Sequence, residues 1–296
     1  NVPGSPQGKS SADIKAPSAW EETKGVETVI IAIVDTGVDL LHPDLKNKIV
    51  SGGRDCINND FDATDDNGHG TGVAGIAAAE TNNNEGVAGV AWNCKILPVK
   101  VAGADGTGPA DKVAEGIRWA VDNGASVINL SMGNVEPSLL VRDAVKYAFD
   151  KNVVVVASAG NNNGPVNFPA AYDEYVLAVA ATDFNDNRTS WSSYGPQVDV
   201  AAPGEKVLAP LPTALTPDGF FPYLPGTGTS FSAPHVAGLA ALIKGFKPSI
   251  HVADIMNIIR YSADDVNASQ FNGKDDYIGY GRINMEKALV PIEITR

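Results

Sequence analysis

The sequence predicts an open, mainly parallel α/β sheet in three layers, with helices on both faces. Apolar runs bounded by turn residues recur at 29–37 (VIIAIVDTG), 95–101 (KILPVKV), 126–133 (SVINLSMG), 153–160 (VVVVASAG) and 175–183 (YVLAVAATD). They are apolar throughout, not alternating, as strands buried on both faces must be. Between them lie segments with helical spacing, DKVAEGIRWAVDNG at 111–124 and LLVRDAVKYAFDKN at 139–152. Strand and helix in alternation make successive strands parallel, joined by crossover helices. Beyond Phe246, IHVADIMNIIRYSA reads as a further helix and YIGYGRINMEKAL as a Gly-bearing closing element.

A chain of 296 residues, 44% hydrophobic and 19% charged, is long enough for one large core, so a single domain over 1–296 is expected. The formal net charge of −13 argues against nucleic acid or an anionic membrane surface as partner and leaves room for bound cations. The longest apolar runs are too short to span a bilayer. The chain opens on Asn1 with neither Met nor an apolar signal core, which reads as a processed, mature form. Cys56 and Cys94 are the two cysteines, and spacing leaves a disulfide and two buried thiols equally open.

In open α/β sheets the ligand crevice lies beyond the carboxyl ends of the strands. Asp35, Ser131 with Gly133, and Gly160 with Asn161 stand at such ends. His69 opens a small-residue helix in DNGHGTGVAGIAAAE, and Ser230 opens another in GTSFSAPHVAG, where Pro234 is expected in the first turn. Singly, these are a strand-end cap, a helix-start histidine and an N-cap serine. Together they are the Asp, His and Ser that nucleophilic acyl transfer requires, each beside glycine.

The blocks IVDTGVDLLHPDL, NGHGTGVAGI, LSMGN, SAGNNNG and GTSFSAPHVAG resemble the signature blocks of the subtilisin-like serine proteases (subtilases), closest in texture to the thermitase-type members. The likeness runs from about Ile14 to Ala288, in the family's order. It implies a secreted serine endopeptidase, monomeric, made as a precursor whose pro-region is its inhibitor and folding aid, and acting on proteins or peptides. By the same resemblance Ser230 is the nucleophile, His69 the base and then the acid, and Asp35 the group that holds the imidazolium. Asn161 would give its amide to the oxyanion together with the Ser230 N–H; read alone, it is a turn residue in an Asn-rich run.

The family pattern also lays an extended substrate between Gly106, Thr107, Gly108 and Ser131, Met132, Gly133, with Asn167 at the base of the P1 pocket and Ala110 and Val113 lining a roomy P4 subsite. No fixed charge is evident there, so neutral apolar or aromatic P1 residues are expected. Three departures stand out. Gly72 replaces a histidine that follows HGT in most relatives. Phe231 and Ser232 replace a methionine and a small residue. The stretch 210–228 is long and aromatic, and Phe220, Phe221 and Tyr223 either line the leaving-group side of the cleft or pack down, the packed arrangement being expected.

Two acidic loops suggest structural calcium. In DCINNDFDATDDNGHG, Asp55, Asn58, Asp60, Asp62 and the Thr64 carbonyl have loop spacing suited to one hard cation. Asp44 with TNNNEGVAG would supply a second site from Asn83 and the carbonyls of Thr81, Glu85 and Val87. The plain alternative for both is a solvated acidic loop. His42, His235 and His251 read as structural. Two other functions compete. Asp35-Thr36-Gly37 resembles one half of an aspartic-protease pair, but no second Asp-Thr-Gly occurs and that fold is all-β. The other is a catalytically latent subtilase-fold protein that only binds peptides.

Overall fold

The computed structural model describes residues 8–217 and 219–290; Asn1, on which the reading of a processed start rests, lies outside them. Helix α1 (Ala16–Glu22) precedes β1 (Ile30–Asp35), β2 (Arg54–Asp55), α2 (His69–Ala78), β3 (Lys95–Lys100), α3 (Ala110–Asp122), β4 (Val127–Leu130), α4 (Leu139–Asp150) and β5 (Val154–Ser158). Then come β6 (Val176–Thr182), β7 (Val198–Pro203), β8 (Val207–Pro210), β9 (Tyr223–Gly226), α5 (Thr229–Phe246), α6 (Val252–Ser262) and α7 (Met285–Leu289).

Seven strands form one parallel sheet in the order β2-β3-β1-β4-β5-β6-β7. Each strand buries both faces. In β1, Ile31 and Ile33 face the layer of α2 and α5, while Ala32 and Val34 face that of α3 and α4; β5 divides Val154 and Val156 from Val155 and Ala157 in the same way. This two-sided burial is why the strands read as continuous apolar runs. Chain order reverses around β1, with β3 on one side and β4 on the other. A crevice therefore opens beyond the carboxyl ends of β1 and β4.

Strand β7 escaped the periodicity because Asp199 interrupts it. That carboxylate is buried; it accepts from Arg260 Nε at 2.7 Å and from the Ala178 N–H at 2.8 Å. Burial, opposed by Arg260, pushes its pKa up to about 6. The 210–228 stretch is partly an antiparallel ribbon, β8 with β9, closed by a tip containing a 3₁₀ turn at Thr213–Leu215. Of its three aromatics only Tyr223 packs down; Phe220 and Phe221 are exposed, because one buried ring already fills the space beneath the ribbon. Both cysteines are free and buried, Cys94 in the α2/α5 layer and Cys56 in the α3/α4 layer, so the sheet separates them. Burial pushes both thiols up to about 11.

Candidate active site

Asp35 ends β1 and is fully buried. Its Oδ1 accepts the Thr36 N–H at 2.8 Å and lies 2.7 Å from His69 Nδ1. A carboxylate only accepts, so Nδ1 carries the proton and Nε2 is left free as a base. This closeness depends on Gly70: a Cβ there would sit 2.1 Å from the Gly37 carbonyl oxygen and 3.2 Å from Asp35 Cβ. The junction is bolted from behind. Thr36 Oγ1 accepts the Gly70 N–H at 2.9 Å and donates to Asp65 Oδ1 at 2.8 Å, while Asp65 Oδ2 takes both the Thr71 N–H and hydroxyl. Lys100 Nζ, also buried, donates to the Thr36 carbonyl at 2.7 Å.

Burial by itself would push the His69 pKa down. The Asp35 charge and hydrogen bond, with Asp65 beyond, outweigh it and hold the imidazole above the ordinary histidine value. The ring is 29% exposed, so its free edge reaches the cleft.

Ser230 is the second residue of α5, whose first turn offers unpaired N–H groups and the positive end of the helix dipole. Pro234 sits four residues further on, in the second turn and not the first. Lacking an N–H, it leaves the Ser230 carbonyl without its helical partner. Ser131 fills that vacancy: its hydroxyl donates to the Ser230 carbonyl at 2.7 Å, and the Ser230 hydroxyl donates in return to the Ser131 carbonyl at 2.9 Å. Ser131 is itself held by Asn129, whose amide donates to its Oγ at 2.9 Å. In this arrangement the Ser230 hydroxyl is bonded to Ser131 and not to His69. The residue after it, Phe231, lays its ring against the imidazole, centroids 5.9 Å apart, so the base and the serine flank one space.

Asn161 follows β5. Its Oδ1 accepts the Thr229 N–H at 2.8 Å and the Thr229 hydroxyl at 2.9 Å, and Thr229 Oγ1 in turn accepts the Gly160 N–H at 3.1 Å. With the oxygen committed to Thr229, the amide nitrogen is the group left to donate, and it lies beside Gly228, where a Cβ would be 3.3 Å from Nδ2. Thr229 was passed over in the sequence because a threonine at a helix start reads as local capping. Only the fold brings β5 to it.

Gly106, Thr107, Gly108, Met132 and Gly133 line one cavity of about 390 Å³, together with Ala110 and Val113. Ser131 lies behind, bonded to Ser230. Asn167 stands outside that cavity, between two strand ends: a Cβ on Gly133 would lie 3.3 Å from its Cβ, and one on Gly160 2.8 Å from its Cγ. Its Oδ1 is buried without a partner. At Gly72 a Cβ would meet Pro210, Ala209 and Phe231 at 3.4–3.5 Å, so the ribbon and the Phe231 ring occupy the space around the departure.

The two acidic loops differ. Asp44 is fully buried; Oδ1 accepts Asn83 Nδ2 at 2.7 Å, and Oδ2 accepts the Val87 N–H and the Tyr223 hydroxyl, each at 3.0 Å. Among the described residues no cationic side chain pairs with it, and neighbouring His42, lowered by burial, accepts the Asp44 N–H. A buried carboxylate met only by the neutral donors of Asn83, Val87 and Tyr223 fits a hard cation once the Asn83 amide turns its oxygen inward. The 55–64 loop does not gather its oxygens. Asp55 takes the Ile57 and Asn58 N–H groups and the Asn58 amide, Asp60 takes the Asp62 N–H, and Asp62 takes Thr64. Each side chain closes its own turn, and among the described residues no group of three or more His, Cys, Asp or Glu converges for a metal.

The Subtilase family model matches residues 27–281. Thermitase of Thermoactinomyces vulgaris is 44% identical over 93% of this chain and 93% of its own length. The thermophilic serine proteinase of Bacillus sp. strain AK1 is 43% identical over 92% of this chain, which spans 64% of that relative. Among solved structures, a protease from Pseudoalteromonas arctica PAMC 21717 superposes with a TM-score of 0.83 at 33% identity, covering 95% of this chain and 94% of the other. No helix among the described residues is long and apolar enough to cross a membrane. Fold, strand-end site and relatives agree: the chain belongs to the subtilase family, the subtilisin-like serine proteases.

Proposed function

We propose that the chain is a secreted endopeptidase of one domain that cleaves peptide bonds through an acyl-enzyme on Ser230. The observation that carries this is the 2.7 Å Asp35–His69 bond, which fixes the tautomer and leaves Nε2 basic beside the start of α5. A substrate laid along Gly106–Gly108 and Ser131–Gly133 brings its carbonyl to Ser230. Taking up the Ser131 carbonyl displaces the parked hydroxyl, which turns to His69 Nε2. As Oγ attacks, its proton passes to Nε2, and the new imidazolium is stabilised by Asp35. The oxyanion receives the Asn161 amide and the Ser230 N–H at the positive helix end. His69 then gives its proton to the departing amine, the C–N bond breaks, and water repeats the sequence to release the acid.

Neutral apolar or aromatic P1 residues suit the space bounded by Gly133, Gly160 and Asn167. The pro-region as inhibitor, and a monomeric protein, follow the family pattern. Calcium held by Asp44, Asn83 and the carbonyls of Thr81, Glu85 and Val87 would neutralise a buried charge and oppose local unfolding of the 81–89 loop. A cation at Asp55, Asn58, Asp60, Asp62 and Thr64 would use the lone pairs that the turn-closing N–H groups leave free, and would need these side chains to converge.

Cleavage of casein and of a neutral tetrapeptide anilide is the functional test. Wild type is expected to cleave both and His69→Ala to lose about four or more orders of magnitude in kcat/KM; near-normal turnover by His69→Ala contradicts the mechanism. For calcium, chelation is expected to lower the thermal midpoint by about 5–10 °C, as loss of a ligand at ~100 Kd would. Asp44→Asn should abolish the response and Asp60→Asn should leave it. An unchanged midpoint in wild type removes the metal.

A further inference from the structure

The tip of the β8–β9 ribbon, residues 211–217 and 219–222, carries an apolar surface left exposed among the described residues. The tip is firmly seated. Thr213 donates its N–H and its hydroxyl to Asp39 Oδ2, both at 2.8 Å, and the Leu211 N–H donates to the Pro222 carbonyl at 2.8 Å. Beneath it Tyr223 is buried, with Phe221 stacked on it at 4.4 Å between centroids. Yet Leu215 is 44% exposed, Phe220 72%, Phe221 61% and Leu224 56%. Leu41, 80% exposed, is tied to the same anchor, its N–H held by the other oxygen of Asp39 at 2.9 Å. Single exposed apolar residues are ordinary; five on one ribbon and the turn that shares its anchoring carboxylate point to a contact surface.

Its position tells what it contacts. The tip rests on Gly68, the residue before His69: a Cβ there would meet Leu211 Cδ1 at 3.0 Å, Pro212 Cδ at 3.3 Å and Leu215 Cδ1 at 3.9 Å. None of the tip residues lines the cavity beside Met132 and Gly133. His69 must hand its proton to the departing amine, so the leaving half of a substrate emerges on the histidine side, toward Gly68 and the tip.

We propose that Leu41, Leu215, Phe220, Phe221 and Leu224 bind the leaving half of the peptide substrate and select chains with leucine or aromatic residues a few positions beyond the scissile bond. The selection rests on the acyl-transfer reading of Ser230. It is an addition of this chain's long ribbon tip to the cleft, and it extends the substrate class to apolar segments on both sides of the cut.

Two internally quenched peptides, identical up to the scissile bond and ending in Ala-Leu-Phe-Leu or Ala-Gly-Ser-Gly, test it alongside a p-nitroanilide that has no residue beyond the bond. Wild type should prefer the apolar peptide by about tenfold in kcat/KM. Leu215→Ser combined with Phe220→Ser, and separately Phe221→Ser, should reduce that preference to about twofold while anilide turnover stays within about twofold of wild type. Equal cleavage of both peptides by wild type, or a preference that survives in both variants, overturns the surface. So does a dimer at micromolar concentration that dissociates in the Leu215→Ser/Phe220→Ser variant, since the patch would then bind a second copy. Failure of the acyl-transfer reading looks different: none of the three substrates is cleaved and no fluorophosphonate adduct forms.

Discussion

The two halves of the reacting centre are built to different degrees of readiness. On the base side Asp35, Thr36, Asp65 and His69 are linked by short bonds through buried atoms, and the imidazole is already oriented. On the nucleophile side Ser230 is held through its carbonyl while its hydroxyl rests on Ser131. In the proposed mechanism that hydroxyl has to turn from Ser131 to His69 before it reacts. The difference teaches where rigidity is needed: a buried carboxylate that orients the imidazole and stabilises its charged form must be fixed in advance, whereas a hydroxyl can turn when substrate claims the strand beside it.

Substitutions sharpen this contrast in a definite order of size. Ser230→Ala should lower kcat by about six orders of magnitude, the loss typical of this family's nucleophile, with the thermal midpoint unchanged. Asp35→Asn should cost about four orders and also move the pH profile. His69 acts as a base only when neutral, and its raised pKa means that activity falls as pH drops through a value above the ordinary one for histidine. Without the Asp35 charge, burial remains and lowers the pKa, so the acidic limb of kcat/KM should shift to lower pH; an unshifted limb would mean that the bond does not govern the base. Asn161→Ala should cost about two to three orders in kcat with little change in KM, as is typical of an oxyanion donor in subtilisin-like sites. Thr229→Val, which keeps the shape but removes the hydroxyl that orients Asn161, should cost about tenfold. Ser131→Ala should be the mildest, at about threefold to tenfold, because it frees the Ser230 carbonyl without touching the hydroxyl's path to His69. If Ser131→Ala matched Asp35→Asn, the nucleophile side would be as rigidly preset as the base side.

Much of this architecture was legible in the residues. Strands buried on both faces announce themselves as apolar runs, which is why five of the seven sheet strands and helices α3 and α4 could be read directly. Asp35, His69 and Ser230 could be singled out because each stands at a strand or helix end near glycine, whereas Asn161 was singled out only through the family resemblance, since alone it reads as a turn residue. What escaped was whatever depends on partners distant in sequence. Asp199 hid β7, since its charge makes sense only once Arg260 is beside it. The role of Pro234 was misplaced by a turn, and its consequence for Ser131 spans 99 residues between the two serines. Thr229 as the orienter of Asn161 required β5 and α5 to meet. In the 55–64 loop, spacing counts the oxygens a cation could use but does not show the N–H groups that the Asp55 side chain accepts.

Intact mass after treatment with a fluorophosphonate tests the central claim most directly, because the reagent needs a serine that can turn to an oriented base but no particular substrate. Wild type should gain one covalent adduct that maps to Ser230, at a rate that falls on the acidic side in step with His69 protonation, and Ser230→Ala should gain none. A folded wild-type protein that takes up no adduct, or an adduct that persists in Ser230→Ala, would contradict it.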